Sequence, residues 1–229
     1  MSVSVMPCTA KKHELGRNDQ GQDGYQDVDF SITTRELAKM IRLAGIEFMK
    51  LEDEPYDNPL GEYTGAGVIF GATGGVMEAA LRSAYFLITG ENPEPDSFKS
   101  VRGMKGWKEA TFEIKGLQVR VAVASGLGNT RRLMEAIKKG EVQYDFVEIM
   151  ACPGGCVGGG GQPVHDGCEY ASPRGEILYG LDKFSGLRFS HENTAVQMTY
   201  DEFLEKPNSH RAHELLHTDL ENWDLEMKL

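Results

Sequence analysis

Apolar and polar residues change their spacing repeatedly along the 229-residue chain, and each change predicts an element. Residues 2–6 (Ser-Val-Ser-Val-Met) alternate as a short strand does, and 28–32 form a second strand candidate. Thr33 or Thr34 then caps a helix over 35–44, with Glu36 in its first turn and Gly45 as its stop. A glycine-rich stretch over 64–73 leads into a helix that runs from Gly74–Gly75 to about 88. Residues 108–114 and 118–124 alternate about Lys115–Gly116 and predict a hairpin. A helix over 129–139 ends at Gly140, and 146–150 reads as a buried strand. Helical spacing returns over 174–187, 195–204 and 210–217, while 17–25, 52–61 and 93–98 read as polar loops.

Strands alternating with helices place the chain in the α/β class, with a sheet flanked by helices. Each predicted strand at 2–6 and 146–150 ends just before a cysteine. Ligands collect beyond the carboxyl ends of strands in such sheets, so the two cysteine segments are expected to converge.

Composition narrows the function classes. A formal net charge of −11 argues against a phosphate-binding surface built from clustered Lys and Arg, so no nucleic-acid partner is expected. No apolar run is long enough to span a bilayer, so no membrane is expected either. Without an export signal, the four cysteines are expected as thiols or metal ligands in a reducing cytoplasm.

The chemistry concentrates in Met6-Pro7-Cys8-Thr9-Ala10-Lys11-Lys12-His13-Glu14 and in Glu148-Ile-Met150-Ala-Cys152-Pro-Gly-Gly155-Cys156, which runs on into four glycines. Three soft ligands, two of them in a Cys-x3-Cys pair beside flexible backbone, suit an iron–sulfur site. A Cys3His zinc site using His13 or His165 uses the same donors, although the usual Cys-x2-Cys spacing is missing. A cysteine at a strand end also serves as a small buried apolar residue. Cys168 stands in a polar loop without a motif, and His213 and His217 share one helical face. Trp107 and Trp223 read as core or interface anchors.

These two segments resemble the second and third signature motifs of the [FeFe]-hydrogenases. Residues 65–82, 101–103, 190–193 and 213–218 are similar to the same family, so the resemblance covers nearly the whole chain. It implies the second lobe of a bilobal catalytic domain, with residues 1–229 as a partial domain that starts just before the second motif. It also implies an H-cluster, a [4Fe–4S] cubane joined to a diiron subsite that carries CO, cyanide and a bridging dithiolate. Cys8 and Cys152 would then ligate the cubane, and Cys156 would bridge cubane and diiron unit. Lys11 would donate to a cyanide, Met6 and Met150 would wall the diiron unit, and Glu14 would hold the Lys11 turn.

The family's first motif, Thr-Ser-Cys-Cys-Pro-x-Trp, occurs nowhere in this sequence, nor do ferredoxin-like cysteine clusters. The resemblance therefore implies reversible proton reduction that depends on an N-terminal lobe or other hydrogenase subunits. Electrons would come from ferredoxin or an NAD(P)H-linked module, and maturation proteins would build the diiron unit. The alternative is a non-catalytic remnant, or a module that binds a partner or a partial cluster.

Overall fold

In the computed structural model the described residues are 1–17, 20–22, 24–57, 60–94 and 96–217. Trp223 lies outside them, and the expected loops 17–25, 52–61 and 93–98 each include residues outside them. The strands are β1 (Val3–Met6), β2 (Gly21–Gln22), β3 (Tyr25–Gln26), β4 (Phe30–Thr33), β5 (Trp107–Ile114), β6 (Leu117–Ser125) and β7 (Phe146–Met150). The α-helices are α1 (Ala10–Glu14), α2 (Thr34–Leu43), α3 (Gly65–Val68), α4 (Gly75–Thr89), α5 (Leu127–Lys138), α6 (Ala171–Phe184), α7 (Thr194–Thr199) and α8 (His210–Leu216).

The central sheet has the order β5–β6–β7. The first pair is antiparallel and the second parallel. A tight turn at Lys115–Gly116 joins β5 to β6, and α5 makes the crossover that a parallel β6–β7 pair requires. Side chains alternate along β6. Val121 and Val123 meet Met77 and Leu81 of α4, together with Phe98, Val101 and Ile114. Ala122 and Ala124 face the other way and pack with Leu133 of α5. The sheet is therefore sandwiched between α4 and α5, and each large apolar side chain fully buried there contributes roughly 1.5–3 kcal/mol.

Trp107 packs against the α5 side of this core, as a core anchor should. Gly74 must be glycine, because its φ is +89° and a Cβ there would sit 2.2 Å from the Val101 carbonyl oxygen.

A smaller sheet pairs β1 with β4 in parallel, from Val3 opposite Phe30 to Met6 opposite Thr33. The strand expected over 28–32 is thus shifted to Phe30–Thr33. Thr33 closes it and starts α2 with a capping box: its hydroxyl accepts the Glu36 N–H while the Glu36 carboxylate accepts the Thr33 N–H. The two cysteine-bearing strands lie in separate sheets, so the single sheet implied by their similar layout resolves into two.

The helix expected from 174 begins earlier, at Ala171, whose N–H donates to the Glu169 carboxylate at 2.7 Å. Pro173 falls in the first turn, where no intrahelical donor is lost. The stretch expected as helix over 195–204 divides into α7 and one wide π turn at Tyr200–Leu204.

Where α4 meets α6, Arg82 lies between two fully buried carboxylates. It donates to Glu78 at 2.7 Å and grips both oxygens of Asp182 at 2.8 Å. Arg102 and Arg188 complete the cluster from the loops, at 2.6 Å from Glu78 and 2.6 Å from Asp182 respectively. Burial alone would push the Asp182 carboxyl up, but hydrogen bonds from Arg82 and Arg188 carry it below its ordinary value. Gly65 of α3 fits against this cluster only because it lacks a Cβ, which would stand 2.3 Å from Asp182 Oδ1.

Candidate functional site

The strand β1 delivers Pro7 and Cys8, and α1 begins two residues later, placing Lys11 within one turn of the thiol. The Lys11 ammonium pairs with Glu14 on the same helix. Lys12 reaches across to Glu36 of α2 at 2.6 Å, tying the cysteine turn to the capping box. Met6 is the half-buried last residue of β1, and Met150 the half-buried last residue of β7.

Beyond β7, Cys152 opens a loop in which Gly154 and Gly155 take φ values of +81° and +93°. Cys156 then begins a 3-10 turn that ends at Gly158. The glycine run turns back onto the first cysteine segment. Gly161 N–H donates to the Pro7 carbonyl at 3.0 Å, and a Cβ on Gly159 would stand 2.0 Å from that same oxygen. A Cβ on Gly161 would stand 2.9 Å from Cys8 N. Protein backbone thus fills the space beside these glycines, and their main role is to let two chain segments touch.

Arg35, in the first turn of α2, fastens the contact. Its guanidinium donates to the carbonyls of Gly160 at 3.1 Å and Gln162 at 2.7 Å, and its N–H donates to Gly161 O at 3.0 Å.

The thiols and the ammonium meet in one electrostatic field. Partial desolvation pushes the Cys156 thiol up although the residue is exposed overall, the neighbouring Cys152 and Cys8 push it further, and the Lys11 charge opposes them. Cys8 and Cys152 are half-buried and Cys156 is exposed. Cys168 stands apart in an exposed turn, where its N–H donates to the His165 carbonyl at 2.8 Å. His213 and His217 approach to 4.2 Å between ring centroids, although α8 ends at Leu216. Among the described residues no three His, Cys, Asp or Glu side chains form a group able to hold a single metal ion. The Cys3His zinc arrangement therefore has no counterpart there.

Two residues to which pattern reading gave no role support the second cysteine loop. Glu148, buried on β7, accepts the N–H groups of Gly74 at 2.6 Å and Met77 at 2.7 Å, at the start of α4. Burial pushes its carboxyl up despite these bonds. Ser125 ends β6, and its hydroxyl bonds to the backbone of Cys152 and Gly154. The available signal was the same for both: a polar residue at a strand position whose neighbours two residues away are apolar.

The profile for the family described as "Iron only hydrogenase large subunit, C-terminal domain" matches residues 1–160, and the chain belongs to that family of iron–sulfur oxidoreductases. The profile described as "Iron hydrogenase small subunit" matches 168–222. The NADP-reducing hydrogenase subunit HndD of Solidesulfovibrio fructosivorans is 51% identical over 217 residues, covering 94% of this chain and 37% of the relative. Iron hydrogenase 1 of Clostridium pasteurianum is 49% identical over 221 residues, covering 94% of this chain and 38% of the relative.

A solved structure of apo [FeFe]-hydrogenase HydA1 from Chlamydomonas reinhardtii superposes with a TM-score of 0.76 at 42% identity. The match covers 94% of this chain and 61% of the algal one. The chain thus spans well under half the length of the two curated relatives. More distant relatives, at 32–33% identity, include cytosolic iron–sulfur assembly proteins of Mus musculus and Xenopus tropicalis. No helix among the described residues is long and apolar enough to cross a membrane.

Proposed function

We propose that residues 1–229 are the C-terminal part of an [FeFe]-hydrogenase catalytic domain. Joined by the segment that carries the family's first motif, they interconvert H2 with two protons and two electrons. The contact of the Gly159–Gly161 run with Pro7 and Cys8, which brings two cysteine segments together from two separate sheets, carries this reading. The donor set fits the cluster: three soft thiols beside an ammonium suit an anionic iron–sulfur group.

Cys8 and Cys152 would hold two corners of the [4Fe–4S] cubane, and Cys156 would join a third corner to the diiron unit. The fourth corner is left to the partner segment. When bound, the H-cluster supplies the redox chemistry and the making and breaking of the H–H bond. Lys11 has three N–H donors, one of which is free to face a cyanide while another stays on Glu14. Met6 and Met150, at the ends of β1 and β7, present polarizable apolar side chains that exclude water from the diiron unit.

The proposal extends to partners. Electrons arrive from ferredoxin or an NAD(P)H-linked module in the cytoplasm, and maturation proteins build the diiron unit. The competing reading, a cluster-binding or partner-binding module without turnover, takes support from the cluster assembly proteins among the relatives.

One experiment separates the two. The chain is matured anaerobically with and without the first-motif segment supplied in trans, then assayed for H2 evolution from reduced methyl viologen, with iron and sulfide counted. Turnover that appears on adding the segment supports the hydrogenase reading. A complete cluster with no turnover in the combined sample would overturn it in favour of the binding module.

A further inference from the structure

Ser125 is 3% exposed at the last position of β6, on the face that carries Val121 and Val123 toward α4. A hydroxyl offers one donor and two lone pairs, and here all three are used. It donates to the Cys152 carbonyl at 3.2 Å. It accepts the Gly154 N–H at 2.8 Å and the Thr73 hydroxyl at 3.2 Å.

Thr73 extends the hold. Its own N–H donates to the Gly154 carbonyl at 3.0 Å, and its carbonyl accepts the Tyr179 hydroxyl of α6 at 3.3 Å. Gly154 is therefore fixed through both its N–H and its C=O, at a φ of +81°. The backbone of the Cys152 loop is set by buried groups before any ligand arrives.

We propose that Ser125 is a positioning residue for the metal-binding loop. Through the Cys152 carbonyl and the Gly154 N–H, its hydroxyl fixes the peptide planes from which the Cys152 and Cys156 thiols are presented. The inference rests on the cluster-binding role proposed above, but the hold on the loop is a property of the protein alone. A polar residue satisfied in every valence at the foot of a ligand loop acts as the outer support that orients metal ligands. Alanine at this position would leave the Gly154 N–H and the Thr73 hydroxyl buried without their partner, and would leave the Cys152 carbonyl only the Gly155 N–H, at 3.0 Å.

The test compares the full chain with Ser125→Ala and Ser125→Thr, the second keeping the hydroxyl on a residue that suits strands. Amide hydrogen exchange of the metal-free proteins reads the loop directly. Reconstitution with ferrous iron and sulfide, followed by iron counting and EPR of the reduced protein, reads its consequence.

Ser125→Ala is expected to speed exchange at Gly154 and Gly155 on the order of tenfold. Exchange in β5 and α4 should stay within about twofold of the parent. Retained iron should fall and the EPR line shape should change, with Ser125→Thr restoring each. Unchanged loop exchange in Ser125→Ala overturns the proposal. So does faster exchange spread evenly over β5 and α4, which would mark a general packing role. Should Ser125→Thr crowd the site, Thr73→Val decides: it removes one bond from the same hydroxyl and should loosen Gly154 selectively, and no loosening overturns the proposal. A parent chain that takes up no iron overturns the cluster reading, while the exchange measurement still decides Ser125.

Discussion

The Glu148 carboxylate caps the start of α4 by accepting the Gly74 N–H at 2.6 Å, with its second oxygen on Met77 N–H at 2.7 Å. Because Glu148 stands on β7 four residues before Cys152, this bond couples the cysteine strand to the longest helix of the core. A carboxylate at a helix N-terminus is favoured by the helix dipole as well as by the hydrogen bonds. Glu148→Ala leaves two buried donors unpaired and is expected to cost about 2–4 kcal/mol in urea unfolding. Glu148→Gln, which keeps one acceptor oxygen, should cost visibly less.

The glycine contact between the two cysteine segments predicts a positional contrast. Gly159→Ala forces a Cβ against the Pro7 carbonyl, where backbone must move, and should cost about 1–3 kcal/mol and lower iron uptake. Gly160→Ala meets nothing closer than 3.6 Å and should leave both unchanged. Thermal unfolding and iron counts on the two variants check this. Equal behaviour would mean that the run is adjustable.

Arg82 separates two fully buried carboxylates, so its removal leaves Glu78 and Asp182 without their shared counter-charge. Arg82→Met is expected to destabilise by about 2–4 kcal/mol, because both carboxylates lose buried charge-assisted hydrogen bonds while Glu78 keeps Arg102 and Asp182 keeps Arg188. Urea unfolding at neutral pH measures it.

Glu36 predicts a dependence on pH. Its carboxyl is held down to about 2, first by the Lys12 hydrogen bond and then by Thr33, from an ordinary value of 4.5. A depressed folded value means that the contribution is present above 4.5 and is lost as pH falls from there toward 2. Denaturation midpoints measured over that window should fall less steeply in Glu36→Gln than in the parent.

Among the cysteines, Cys8→Ser, Cys152→Ser and Cys156→Ser should each reduce bound iron and sulfide after anaerobic reconstitution. Cys168→Ser should not, since its thiol stands in the exposed turn beside His165. An equal loss in Cys168→Ser would redraw the ligand set.

Much of this was legible in the residue pattern. The hairpin about Lys115–Gly116, the strand Phe146–Met150 and the capped α2 follow from alternation and from one threonine–glutamate pair, which are local signals. The proposed set of Cys8, Lys11, Cys152 and Cys156 comes from two long motifs. The pairing of β1 with β4 in a sheet of its own was not, since pairing is decided by segments distant in sequence. The roles of Ser125 and Glu148 were missed for a different reason. A polar residue in a strand reads as a solvent-facing one until its buried partners, here Gly154 and Gly74, are seen. The short helix α3 was hidden by its glycines, which lower helix propensity, although Gly65 is required against Asp182.

Because Cys8 follows the β1–β4 sheet and Cys152 follows the β5–β7 sheet, a group bound to both would close most of the chain into one ring. A covalent tie across so long a loop removes chain entropy from the unfolded state worth about 5 kcal/mol. On the proposed cluster assignment, metal loading and folding are thus one linked equilibrium. Iron delivery raises the unfolding midpoint, and anything that opens the two sheets apart releases iron.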